Sequence, residues 1–146
     1  YIRKTHGAIL SPAIAELLKI RIGAAMKDEE ILRMDVQAQD QVSNLPKSVT
    51  ITTEDIVNAL QDSLESIVSL VKKVLEKTPP ELITDIMDRG VALCGGGSQL
   101  RGIDRFLTKA LGIPSYQVDN PTTCTAVGAS KALTMLDILK RTLPHT

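Results

Sequence analysis

Aromatic side chains are almost missing from this 146-residue sequence: two tyrosines, one phenylalanine and no tryptophan, 2% in all. Single-stranded nucleic acid is held by stacking bases on aromatic rings along a basic groove. Here the rings are absent and 17 basic residues are balanced by 17 acidic ones, so nucleic acid is not an expected partner. Cysteine and histidine are as sparse, two of each. There is no C-x-x-C spacing, and His6 and His145 lie near the termini, so neither a metal site nor a disulfide framework can be read from them. Cys94, at the end of an apolar strand, reads as a small buried hydrophobe rather than a nucleophile. No apolar run approaches the roughly 20 residues of a membrane span, and Tyr1 to His6 do not have the form of a secretion signal. A soluble, intracellular chain is the expectation. It opens without methionine, in residues that read as the tail of an element, so a piece of something larger is expected.

What is present is a strand that runs into bare backbone. Val91-Ala92-Leu93-Cys94 leads into Gly95-Gly96-Gly97, and Ser98-Gln99-Leu100-Arg101-Gly102-Ile103-Asp104 follows. Glycine removes every Cβ from such a turn, so a flat ligand can lie against the main chain beside the N–H groups of the coming helix. Two better-known glycine motifs fail on spacing. The dinucleotide fingerprint needs a third glycine where Leu100 stands, and the phosphate loop needs Lys and a hydroxyl where Ile103 and Asp104 stand. A tight strand-to-helix turn with no ligand satisfies the same residues.

The remaining pattern predicts an α/β unit. Ser11-Pro12 starts a helix that carries Ile14, Leu17, Leu18, Ile22 and Ala25 at helical spacing, to about Ala25. Its other face aligns Glu16, Lys19 and Gly23, which the residues alone allow to be an exposed ion pair. Leu32 to Ala38 and Pro46 to Thr52 alternate as a hairpin about Ser43-Asn44-Leu45. Thr52-Thr53-Glu54-Asp55 caps a long helix, with Ile51 and Ile56 as a staple and an apolar stripe from Ile56 to Leu75. Thr78-Pro79-Pro80-Glu81 predicts another capped helix, ended by Gly90. Ser98 is expected to cap the helix through Leu111, and Ser115 to Val118 to form a second, parallel strand. That places the glycine turn at a carboxyl strand edge, where α/β sheets bind ligands. A final helix through Leu139 carries Ala126, Gly128, Ala129 and Ala132, small enough to pack closely beneath the turn.

The series Ala15-Glu16-Leu17-Leu18-Lys19-Ile20-Arg21-Ile22-Gly23, Leu45-Pro46-Lys47, Thr78-Pro79-Pro80-Glu81-Leu82, Asp88-Arg89-Gly90, Gly95-Gly96-Gly97 with Leu100 to Asp104, and Asp119-Asn120-Pro121-Thr122-Thr123-Cys124 followed by Gly128 and Lys131-Ala132-Leu133 closely resembles the MreB family. These are bacterial actin-like, rod-shape-determining cytoskeletal ATPases. The resemblance runs in one order over nearly the whole chain. It implies the C-terminal half of the actin-like fold shared with Hsp70 and sugar kinases: a partial mixed sheet with packed helices and a small α+β subdomain. Residues 1–8 would be the remnant of a truncated element, 9–62 a subdomain of the IIB type, and 63–146 a subdomain of the IIA type.

The resemblance further implies that Glu16, Leu17, Leu18 and Lys19 form one wall of an ATP or ADP site, on the adenosine side, and Gly95, Gly96, Gly97, Ser98 and Gln99 the other. Phosphate loops, the hydrolytic acid and the Mg²⁺ contacts would belong to the other half, so this chain alone is expected to have no catalytic or metal residues and not to be an enzyme. For the intact protein it implies self-association into filaments, cytoplasmic and membrane-associated, that direct cell shape with the cell-wall synthesis machinery. Membrane contact would be indirect, through an adaptor of the RodZ kind. The chain departs from the family pattern at Cys94 (usually Thr), Ser98-Gln99 (usually Ala-Leu), Leu17 (usually Arg) and Ser130 (usually Gly). Two alternatives stay open on the residues: another actin-fold ATPase, such as a sugar kinase or Hsp70 relative, and an interaction module that binds no nucleotide.

Overall fold

The computed structural model describes residues 1–27 and 29–136. Helix α1 (Ile2–His6) and strand β1 (Ala8–Ile9) precede α2 (Pro12–Ile22), the hairpin β2 (Arg33–Asp40) and β3 (Pro46–Thr52), and the long helix α3 (Thr53–Glu76). Then come α4 (Pro80–Arg89), β4 (Val91–Leu93), a 3₁₀ turn over Gly96–Gln99, α5 (Ile103–Leu111), β5 (Ser115–Gln117) and α6 (Cys124–Thr134).

The first core forms because the hairpin alternates as the sequence predicts. In the antiparallel sheet β1-β2-β3, Val36 faces Val49 and Met34 faces Ile51. Val36, Val49 and Ile51 turn inward against Leu18 and Ile22 of α2 and Ile56 of α3. Residues 1–8 are part of this unit: Ala8 is fully buried and pairs with Asp40, and Ile2 packs on the core. The hairpin turn is held by Asp40, whose carboxylate accepts from the N–H groups of Ser43 (2.9 Å) and Val42 (3.0 Å) and from the Ser43 hydroxyl (3.0 Å). The Ser43 and Val42 amides lead in lowering its pKa from 3.8 to about 2.

Helix α3 starts with the predicted capping box, Thr52 accepting from the Asp55 N–H and Asp55 from that of Thr52. Burial acts to raise the Asp55 pKa, but His6, 2.9 Å away, and Thr52 outweigh it and hold the carboxyl below its ordinary range. At about 1.5 Å per residue the 24 residues of α3 span about 36 Å, enough to serve a second core. There Leu64 and Val68 meet Ala25, Ile103 and Leu107, and Leu60 borders both clusters. Strands β4 and β5 pair in parallel, Ala92 beside Tyr116.

Several local expectations are corrected by the structure. Helix α2 stops at Ile22: the Gly23 N–H makes the last helical bond, to the Lys19 carbonyl, and the chain then turns extended so that Ala24 bridges Arg101. Thr78 does not cap α4: its hydroxyl bonds back to the Val74 carbonyl, and Pro79 takes the N-cap position. Ser98 does not cap α5 either. Its hydroxyl donates to Gly95 O at 2.8 Å inside the 3₁₀ turn, and Gly102 opens the helix. Helix α6 has no buried residue and a Cβ on Gly128 would meet nothing within 4 Å, so its small residues do not pack under the glycine turn. Its expected extension through Leu139, like His145, lies outside the described residues.

Candidate functional site

A crevice of about 610 Å³ opens between the last turn of α2 and the glycine turn. One wall is Lys19, Ile20 and Gly23; the other is Gly96, Gly97, Ser98, Gln99, Leu100 and Arg101. The floor is apolar, from Leu60, Leu64 and Ile67 of α3, Ala92 and Leu93 of β4, and Ile103 and Leu107 of α5, with Ser63 and Cys94 as polar additions. An apolar slot with few polar groups suits a flat, mostly apolar ring with polar edges.

The glycine turn reaches this place because β4 delivers it there. Gly95 takes φ 83°, open to glycine at little cost, and its N–H donates to Pro121 O at 2.7 Å. The chain then folds through Gly96 and Gly97, where φ is not positive and an added Cβ would meet nothing within 4 Å. The fold itself therefore does not require glycine at either position. Gly23 is the opposite case: a Cβ there would run into the Lys19 carbonyl and lie 3.2 Å from Leu100 Cδ1. The two walls meet at that point.

Of the nine residues singled out from the sequence, Lys19, Gly96, Gly97, Ser98 and Gln99 line the crevice together. Glu16 and Leu17 are exposed on α2, one turn before the wall, and no ion pair joins Glu16 to Lys19 among the described residues. Leu18 is fully buried in the first core, because the helix turns that position toward Ile51 and away from the crevice. Gly95 sets the bend without lining the space. Cys94, expected to be buried, is exposed beside the crevice.

Sequence reasoning missed Ile20 and Arg101. Ile20 is 68% exposed, and its place outside the apolar spacing of Ile14, Leu18 and Ile22 was a signal available in the sequence. Arg101 gave none, since its partners lie 48 to 79 residues away. Among the described residues no group of three or more His, Cys, Asp or Glu stands together as a metal site, so the Mg²⁺ that accompanies ATP is assigned to no residue here. No described helix is long and apolar enough to cross a membrane.

The family model for MreB/Mbl proteins matches residues 1–141. The chain belongs to the MreB/Mbl family. It is 40% identical over 138 residues to the cell shape-determining protein MreB of Escherichia coli K12, covering 94% of this chain and 40% of that protein. To the cell shape-determining protein Mbl of Bacillus subtilis it is 36% identical over 141 residues, 97% of this chain and 42% of the relative. The chain thus spans about two fifths of the length of these curated relatives. The crystal structure of MreB5 of Spiroplasma citri bound to AMPPNP superposes with a TM-score of 0.89 at 33% identity, over 98% of this chain and 43% of that one. The ADP-bound form gives the same score over 93% of this chain and 41% of that one. A chain of the MamK double helical filament, 17% identical with a TM-score of 0.66 over 83% of this chain and 37% of that one, shares the fold alone. The fold is therefore actin-like, in the part of it this MreB/Mbl chain covers, and membership of this family displaces the sugar-kinase and Hsp70 alternative.

Proposed function

We propose that this chain supplies the adenosine side of an ATP- and ADP-binding cleft in an MreB-like cytoskeletal protein. Lys19, Gly96, Gly97, Ser98 and Gln99 would touch the nucleotide. Glu16 and Leu17 would extend the α2 wall by one turn, Leu18 would brace it from the core, and Gly95 would aim the turn. The observation that carries the reading is the pair of glycines at 96 and 97, which neither backbone geometry nor packing demands. Bare backbone kept free at a crevice wall is what close approach of a flat base needs. The Spiroplasma relatives bound to AMPPNP and ADP support the same ligand class.

Phosphoryl transfer requires donors around the phosphates, a bridging metal and a group that orients water. We assign none of these to this chain, which on its own would not hydrolyse ATP. The intact protein would assemble into nucleotide-dependent filaments in the cytoplasm, at the membrane through an adaptor, and guide cell-wall synthesis. The residue ranges 9–62 and 63–146 would correspond to its subdomains IIB and IIA.

The test is calorimetric titration of the complete protein with ADP, alongside Gly96→Val and Gly97→Val. A Cβ at either place meets nothing within 4 Å, so the variants should melt within a degree or two of the parent while losing on the order of tenfold or more in affinity. Full affinity in both variants would reject the assignment and favour an interaction module.

A further inference from the structure

We propose that Arg101 is the positioning residue that sets the gap between the two crevice walls, so that nucleotide affinity depends on a guanidinium aimed at the protein's own backbone. The proposal rests on the nucleotide reading given above and adds a residue to it. Arg101 follows directly on the glycine turn, and each of its three side-chain nitrogens is committed. Nε donates to Gly23 O at 3.0 Å, Nη2 to Ile22 O at 3.1 Å and to Thr53 Oγ1 at 3.2 Å, and Nη1 to Glu30 O at 3.3 Å. Its main chain joins the same place, with the Ala25 N–H donating to Arg101 O at 2.8 Å and Ala24 bridging Arg101.

These partners decide what the side chain does. The last carbonyls of a helix have no partner within it, and at the end of α2 it is Arg101 that takes those of Ile22 and Gly23. Lys19, Ile20 and Gly23 sit on that last turn and form the wall, so the arginine holds the wall through its terminus. Thr53, only 2% exposed, ties the arrangement to the start of α3: its hydroxyl donates to Ile22 O and accepts from the Leu32 N–H, both at 2.9 Å. A planar fork with donors in fixed directions can hold three segments in one geometry, which a lysine ammonium, a single point of charge, cannot do equally well. The turn and α2 are therefore locked at one spacing before any ligand arrives, and a site already set for its ligand loses less on binding.

The experiment uses the complete protein, titrated with a fluorescent ADP analogue well below its melting temperature, together with Arg101→Met and Arg101→Lys. Methionine keeps much of the apolar stem and removes every donor. We expect the dissociation constant to rise about tenfold in R101M and about threefold in R101K, with faster release of the analogue in the same order. A purely stabilising arginine would lower the melting temperature and leave the affinity of the folded protein unchanged. Dissociation constants within twofold of the parent in both variants would overturn the proposal, and if R101M does not fold, R101K alone decides by the same criterion. A parent that binds no analogue would instead sink the nucleotide reading on which the proposal stands.

Discussion

The two ends of α3 live in different surroundings. At its start, a three-stranded sheet, α1 and α2 close a core that holds the largest fully buried side chains, Leu18, Ile51 and Thr53. Toward its end, Leu70 is 63% and Val74 65% exposed, and neither α4 nor α6 buries a residue. The first region is held largely by its own residues, through the hairpin, the capping box and the His6–Asp55 pair, with Arg101 reaching in from the second. The second has two three-residue strands and helices whose apolar positions, Leu82, Met87, Val127 and Leu133 among them, face outward. The crevice lies at the junction, with one wall from the closed region and the other from the open one. Its geometry therefore depends on what crosses between them.

The contrast can be broken by a pair of alanines. Ile51→Ala should cost about 3 kcal/mol, since the side chain is fully enclosed and its cavity cannot collapse easily. Leu133→Ala, at a position 71% exposed, should change stability by less than about 0.5 kcal/mol. Comparable losses in denaturant titrations would show that α6 is as well covered as the sheet.

A second variant sharpens the junction. Thr53→Val keeps the side-chain volume, leaves the Leu32 amide without its hydroxyl acceptor and leaves the Ile22 carbonyl with Arg101 alone. The expected cost is about 1–3 kcal/mol, and a neutral outcome would mean that the knot beneath the crevice is satisfied in another way.

Acid should act first on the closed region, and more weakly. Asp40, with its folded pKa lowered from 3.8 to about 2, contributes stability that is whole above about pH 4 and is lost as pH falls toward 2. Asp55, also lowered, acts in the same direction. Asp40→Asn should lower the neutral plateau by what the ionised carboxylate contributes and leave the acid end nearly unchanged, so that the acid limb of the melting curve flattens; an unaltered limb would remove the Asp40 turn from the account.

Much of this was legible where the cause is local. Ser11-Pro12, the hairpin alternation and the Thr52–Asp55 box each place their signal and its partner within a few residues, and the structure realises all of them. The glycine turn was legible as bare backbone at a strand edge, whereas Lys19 was singled out only through the family resemblance, its own neighbours allowing an exposed ion pair. What was missed has two causes, a competing partner just upstream or a partner far away. Ser98 and Thr78 look like caps from their neighbours, yet their hydroxyls are satisfied backwards by Gly95 and Val74. The end of α2 and the role of Arg101 are set by bonds across more than 70 residues, and helical periodicity carries no trace of them. Leu18 belongs to the core and not to the wall that the family resemblance implies, as its spacing to Ile22 and Ile14 marks.

The most direct test of the two-walled adenosine site is photolabelling of the complete protein with an azido-adenine nucleotide, followed by mass mapping of the adducts. The account predicts label on the stretch from Lys19 to Gly23 and on the stretch from Cys94 to Arg101, both suppressed by excess ADP. Label confined elsewhere, for instance to the separate groove between α3 and α5 lined by Lys27, Glu65 and Lys109, with both stretches clean, would contradict it.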